Sequence, residues 1–472
     1  MSIQKKYSPA EFSEFLQQKL HPIARLRVDD ELYKYNGKYY EYLTYQELAH
    51  TFYNYLLGEG MINHWSTTLE QQTLKALTYH PNIELVEEFD NHPNHINVQN
   101  GVIDISSKYP YKLLEHDYKY HFTSMVDVDY DPEITKAPHF ISFLETSITD
   151  DKMKPDMETI EAILMMCGYM LYPQHKLEGI FMFLGEGENG KSLLIDVLSS
   201  FFHERFVSSL SLREISQESM DREPLIHSRL NIASEEKGSP IDPSQIKKVA
   251  SGQRITIKRK FKQPINVISR TKIVVDSNTL VQFKDNTHGT TRRLNIFNFL
   301  NKAVSQKDYD ACNNPTRFRY IVRKNRDEFF PKIMKEKSAI LNLFLDGLEK
   351  LKLNDWRMPR TMASKRTLDE YKDQTDTLGG WLRGHYIIDD DAETTTLDIL
   401  NHFKEFYEQN FPGTRFGYST HFLGRKIKEI FRVDYRKKGL ATESGGRTTM
   451  NVYPLIRVDN PLSGGGQDEV NF

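Results

Sequence analysis

The segment Gly185-Glu186-Gly187-Glu188-Asn189-Gly190-Lys191-Ser192 constrains this chain more than any other. It fits the spacing G-x-x-x-x-G-K-[ST], in which glycines let backbone N–H groups turn inward around phosphate oxygens. The lysine of that pattern reaches the β- and γ-phosphates, and the hydroxyl holds Mg²⁺. The flanks agree with the pattern. Ile180–Leu184 is a continuous apolar run of the kind that forms a buried strand, and Leu193, Leu194, Val197, Leu198 and Phe201 fall on one helix face. Strand, loop and helix in that order present the phosphate to a helix N-terminus. The segment therefore predicts a nucleotide site, with ATP and Mg²⁺ as its ligands and Ser192 on the metal.

Length and composition narrow the rest. At 472 residues the chain has room for about three domains. Hydrophobic residues make up 39% and charged residues 27%, which excludes an extended disordered chain. The net charge of −3 does not by itself announce a nucleic-acid partner. Two cysteines, Cys167 and Cys312, cannot build a disulfide framework or a four-ligand zinc site, and read as buried thiols in a reducing compartment. The start has no apolar stretch suited to a signal peptide, and the run from Ile160 to Tyr172 is broken by Glu161 and too short to span a bilayer. A cytoplasmic protein without membrane contact is expected.

Along the chain, Asn36-Gly37 between two tyrosine-rich runs predicts a two-residue hairpin turn. Leu48, Phe52, Tyr55 and Leu56 predict a helix, and two more are expected near Pro138–Thr149 and Met157–Leu171. From Gly179 to about Leu300, apolar strands alternate with helical stretches, as in a mononucleotide-binding α/β core. The expected division is an N-terminal α+β domain with connector over 1–150, a motor over 151–305 and a helical extension or linker over 306–375. A winged-helix domain over 376–460 and a flexible tail over 461–472 complete it. The winged-helix reading rests on two helices, marked by Leu397–Phe406 and Ser419–Ile430, followed by a basic hairpin around Gly445-Gly446.

Three further features follow the phosphate loop in order. The strand from Arg229 ends in Glu235-Glu236. A nucleotide hydrolase needs one acid at the metal and often a second to orient the attacking water, so Glu235 is the candidate metal acid and Glu236 its partner. Lys272–Asn278 is a second apolar strand, whose terminal Asn278 can contact the γ-phosphate or position the water. Arg292-Arg293 opens a third strand, and a guanidinium supplied by a neighbouring subunit would stabilise charge on the transferring phosphoryl group.

The stretch from Arg254 to Lys272 holds seven cations and no acid. Its alternating Ile255/Ile257 and Ile265/Val267 predict a β-hairpin with a basic tip carrying Phe261. Lys258, Arg259, Lys260, Phe261 and Lys262 are the candidate DNA contacts, with Lys262 expected at the tip. Such cations neutralise a phosphate backbone largely without regard to sequence. A second cluster, Arg425, Lys426, Lys428, Arg432, Arg436, Lys437 and Lys438, falls on the expected recognition helix and wing, where duplex or origin DNA would bind.

The order of these parts resembles the superfamily three helicases, and most closely the phage and plasmid replicative helicases related to poxvirus primase–helicases. Ser251–Lys258, Pro264 and Lys272 fit that pattern, as do Asn100–Asp104 and Tyr130-Asp131-Pro132 upstream. The resemblance covers about residues 95–300 well. It implies a P-loop AAA+-type α/β ATPase core, a homo-hexameric ring and 3′→5′ unwinding of single-stranded and forked DNA. It also implies a role in replication of a phage, plasmid or mobile element, with replication-initiation partners. Many relatives carry a single acid at the position of Glu235, which puts the role of Glu236 in question. Val126–Asp129, with alternating aspartates, could suggest the metal site of a primase, but too little chain precedes it and no companion site follows. An origin-binding initiator without processive unwinding, and a non-helicase P-loop enzyme such as a small-molecule kinase, are the alternative functions.

Overall fold

The computed structural model describes residues 7–235, 238–284, 288–375, 377–410, 416–441 and 447–458. The chain divides into two compact units, Met1–Lys365 and Arg366–Phe472.

The first unit begins with helices whose starts are written in the sequence. Ser8 and Glu11 form a reciprocal capping box at Pro9–Leu20, and Thr44 and Glu47 do the same at Tyr45–Gly58. Phe12, Leu16 and Leu20 on the first helix and Leu48, Phe52 and Leu56 on the second are buried together, the four-residue spacing that one helix face provides. A four-stranded sheet stands beside them in the order Tyr40–Tyr42, Leu32–Tyr35, Ile23–Leu26, Glu84–Val86. The hairpin expected at Asn36-Gly37 is present, but not as a two-residue turn. Tyr35 pairs with Tyr40, so four residues make the loop. Of Asn36 and Gly37 only Gly37 has positive φ, and Asn36 instead accepts the N–H groups of Lys38 and Tyr39 on its Oδ1.

The centre of the unit is a five-stranded, wholly parallel sheet. Its strands along the chain are β1 (Ile180–Leu184), β2 (Val207–Ser208), β3 (Leu230–Glu235), β4 (Lys272–Ser277) and β5 (Leu294–Asn298), and their order across the sheet is β5-β1-β4-β3-β2. The interior strands are continuous apolar runs because helices and loops cover both faces. Register brings Leu184 level with Ser277 and Asn298, and Ser277 level with Glu235, so the ends of four strands line one edge of the sheet.

Helix Met157–Leu171, almost wholly buried, leads into this sheet, and helix Lys337–Leu353 packs along it. Their backbones touch. A Cβ placed on Gly168 would lie 2.1 Å from the Phe344 carbonyl oxygen, and one on Gly347 would lie 2.4 Å from that of Leu164. The stretch expected to be an extension or linker thus supplies a core helix, with Ile340, Phe344 and Leu348 fully buried.

The second unit contains helix Thr377–His385, then helices Thr396–Asn410 and Thr420–Phe431, and a three-stranded antiparallel sheet ordered Thr394–Thr395, Arg447–Tyr453, Arg436–Ala441. Trp381, Leu382, Ile399, Phe403, Leu423 and Ile427 form its core. Helix Thr377–His385 was not anticipated, because Gly379-Gly380 in its middle is a poor helix signal that tertiary packing overrides. The expected turn at Gly445-Gly446 and the tail over 461–472 lie outside the described residues.

Candidate nucleotide and nucleic-acid sites

The phosphate loop joins β1 to helix Lys191–Ser199. Gly190 has φ of 97°, and a side chain there would also meet Ser147 Oγ at 2.8 Å, so only glycine suits the position. The loop is held from three sides. Asn189 Nδ2 donates to the Phe299 carbonyl at 3.1 Å, the Ala303 N–H donates to the Glu188 carbonyl at 2.6 Å, and the Glu188 carboxylate pairs with Arg323 at 2.6 Å. Gly190 at the N-cap has no side chain to cap the helix start, and Asn189 Oδ1 accepts the Lys191 N–H at 3.4 Å.

Lys191 is the centre of the site. Its side chain is only 4% exposed. The ammonium donates to the Gly185 carbonyl and, at 3.0 Å, to Asn278 Oδ1, and lies 3.6 Å from Asp276 Oδ1. Burial lowers its pKa, and the nearby Asp276 opposes that shift. Two residues named from separate motifs, Lys191 and Asn278, therefore meet across β1 and β4. Ser192 lines the same cavity, which has a volume of about 790 Å³, ample for a nucleoside triphosphate. Gly187, Glu188, Asn189 and Gly190 also line it.

Asp276 was missed because it reads as the polar end of a strand. Arg323, Lys324 and Arg326 were missed too, although they line the cavity from the far side with Phe143 and Phe329. Arg326 pairs with Asp196, and Lys324 sits 4.2 Å from the Phe329 ring centroid, with a pKa lowered by burial. The available signal was three cations within Arg323-Lys324-Asn325-Arg326, in a stretch assigned to an extension.

Glu235 ends β3 level with Ser277, at the same edge of the sheet as the phosphate loop. Glu236 lies outside the described residues. Among the described residues no cluster of His, Cys, Asp and Glu is composed to hold a metal by itself.

Arg292 and Arg293 precede β5, whose first residue pairs with the first residue of β1. They therefore sit at the opposite end of the sheet from Lys191, about 16 Å away along a five-residue strand. They also differ from each other. The Arg293 side chain is 8% exposed, pairs with Glu178 at 2.7 Å and donates to Ser251 and the Gly289 carbonyl. Arg292, 49% exposed, shares Glu178 at 2.6 Å and faces outward.

The basic stretch folds as the expected hairpin, Arg254–Arg259 with Lys262–Ile268. A bulge in the second strand takes up Pro264, which could not serve a regular ladder. The tip is Lys260-Phe261, not Lys262: Arg259 pairs with Lys262 across it, and Phe261 has φ of 59° and is 96% exposed. Lys262 and Arg259 are held by acids of the loop between the N-terminal strands Ile23–Leu26 and Leu32–Tyr35, whereas Lys258 and Lys260 pair with no carboxylate among the described residues. In the second unit Lys426 pairs with Glu429, Lys428 with Asp434 and Lys438 with Glu393. Arg425 lies over the Phe422 ring, and Arg425, Arg432, Arg436 and Lys437 are exposed.

Residues 15–148 match the family described as D5 N terminal like, and residues 183–293, which run from β1 to Arg293, match a family described as of unknown function. A protein of Acanthamoeba polyphaga mimivirus, provisionally named a helicase, is 22% identical over 365 residues. The match takes in 71% of this chain, which spans about a third of that relative, 35% of its length. The chain is a relative of the phage-type superfamily three helicases. A solved structure, the apo NrS-1 C-terminal region (305-718), aligns with this helicase relative over 95% of the chain and 100% of its own length. Its TM-score is 0.50 at 11% identity, a likeness of fold.

Proposed function

We propose that this protein is an ATP-driven DNA helicase serving replication of a virus, phage or mobile element. The observation that carries the reading is the contact of Lys191 with Asn278 inside a cavity lined by the phosphate loop and the end of β4. An uncapped helix N-terminus, a buried lysine and three further cations make a donor set suited to a triphosphate. In this reading Lys191 leaves Asn278 for the phosphates, Ser192 and Glu235 hold Mg²⁺, and Asn278 is left to orient the water. Bound Mg²⁺ neutralises charge developing on the phosphoryl oxygens.

The sheet order β5-β1-β4-β3-β2 supports an AAA+-type core, and the helix–strand–helix–helix–hairpin sequence of the second unit supports a winged helix. Because Arg292 is outward and remote from its own phosphate loop, it is the better candidate for a guanidinium acting in a neighbour's site, which requires a ring, taken here as a hexamer moving 3′→5′. The hairpin tip, with Lys258, Lys260 and Phe261, meets the translocating strand. The exposed cations of the second unit suit a duplex backbone.

Lys191→Ala is expected to abolish both DNA-stimulated ATP hydrolysis and strand displacement on a forked substrate. Retained unwinding would overturn the assignment.

A further inference from the structure

The acid-free hairpin stretch borrows its counter-charges from far away in the chain. Arg259 Nη1 lies 3.0 Å from Asp29 Oδ2 and 3.4 Å from Glu31 Oε1. Lys262 Nζ lies 2.6 Å from the same Glu31 oxygen and donates to the Tyr42 hydroxyl at 3.0 Å, which in turn donates to Glu31 Oε2 at 3.0 Å. Beyond the hairpin, Arg270 pairs with Glu88 at 2.5 Å. All these partners lie in or beside the N-terminal four-stranded sheet. Nothing in the resemblance or the comparisons gives that sheet a task.

The depth of the contact decides what it is for. The Asp29 and Arg259 side chains are 4% and 8% exposed. Separating a buried pair leaves an uncompensated charge in a poor solvent, which is strongly unfavourable, so these groups are not held in reserve for a ligand. Phe261 and Lys260, two residues away, have no such tie and project into solvent.

We propose that the N-terminal sheet, through the loop between its strands Ile23–Leu26 and Leu32–Tyr35, is the seat of the DNA-binding hairpin: Asp29 and Glu31 are positioning residues that fix Arg259 and Lys262, leaving Lys258, Lys260 and Phe261 around the tip to contact the strand. The cations from Lys258 to Lys262 thus divide into an anchoring pair and a contacting set. The inference rests on the helicase reading, and it assigns the N-terminal region the work of holding the hairpin rigid against the load of translocation.

The test uses the full chain, a labelled oligothymidylate and a forked duplex. Binding is measured against salt, since each cation withdrawn from a single-strand phosphate makes the log–log slope shallower by about 0.7. Lys260→Ala is expected to lower the slope by that step. Lys262→Ala and Glu31→Gln are expected to leave the slope unchanged yet reduce strand displacement several-fold, with DNA-free ATP hydrolysis retained in Glu31→Gln. Hydrogen exchange gives a second readout: in Glu31→Gln the hairpin amides should exchange faster while those of β4 do not. A slope for Lys262→Ala that falls as it does for Lys260→Ala overturns the proposal. So does tighter binding by Glu31→Gln, which would mean that the acid competes with DNA. If the wild-type protein hydrolyses ATP but neither binds the oligonucleotide nor opens the fork, the helicase reading fails first and takes this proposal with it.

Discussion

Lys191 is ligated by protein oxygens before any nucleotide arrives. In the proposed reading a triphosphate would exchange the Asn278 amide and the Gly185 carbonyl for its own oxygens, and the exchange would leave Asn278 with a free acceptor for the attacking water. Asn278→Ala is therefore expected to retain nucleotide binding while kcat falls by about 10²–10³, the usual loss on removing one aligned polar group. Equilibrium binding and steady-state hydrolysis separate the two effects. Asn278 was legible because it ends an apolar strand. Asp276 was not, because two positions earlier it has the look of an ordinary strand residue and only folding brings it beside Lys191. A second residue sets a pH limit. His227 is partly buried against the Tyr42 ring, near Arg229, Arg259, Glu31 and Asp90, and desolvation lowers its pKa to about 4 from 6.5. Between those values the unfolded chain binds the proton and the folded one does not. Stability is thus full above about pH 6.5 and falls on acidification by up to about 1.4 kcal/mol per pH unit until about pH 4. Chemical denaturation at pH 7 and pH 5 should show the loss, and His227→Gln should reduce it.

Among the elements, the hairpin and the paired helices obey different constraints. The hairpin was visible in the alternation of isoleucines and in its missing acids. Its tip falls at Lys260-Phe261, one residue before Lys262, because the chain already pairs Arg259 with Lys262, and the bulge at Gln263-Pro264 behind that pair has no periodic signal. Helix Met157–Leu171 was visible as an apolar run, but its contact with Lys337–Leu353 was not, since a single glycine on each helix says nothing about which other helix it meets. Gly168→Ala is expected to lower stability by about 1–3 kcal/mol, because the added carbon has backbone rather than a movable side chain in front of it. A thermal melt of the variant beside Gly187→Ala, where the added carbon meets nothing within 4 Å but the backbone has φ of 99°, separates crowding from conformational strain.

At the scale of the molecule, the phosphate loop and Arg292 occupy opposite ends of one parallel sheet. In the proposed ring, a subunit with this layout would offer a donor at one end and a receptor at the other. Arg292→Ala is expected to bind ATP without hydrolysing it, and mixing it with Lys191→Ala subunits should recover part of the activity. Arg293→Ala, by contrast, should lower the melting temperature, because it removes the buried partner of Glu178, Ser251 and the Gly289 carbonyl. No recovery in the mixture would argue against a shared site. The near-neutral net charge also becomes intelligible: part of the acid content is spent on Arg259, Lys262 and Arg270 rather than spread over the surface.

The glycine-to-glycine contact has a consequence for how the chain is made. Helix Met157–Leu171 emerges from the ribosome long before its partner Lys337–Leu353, with about 165 residues between them. At about 5–20 residues per second that gap lasts roughly 10–30 s, during which one almost wholly apolar helix waits without the surface that will cover it. The order of synthesis, more than any local propensity, then decides when the nucleotide-binding core can close.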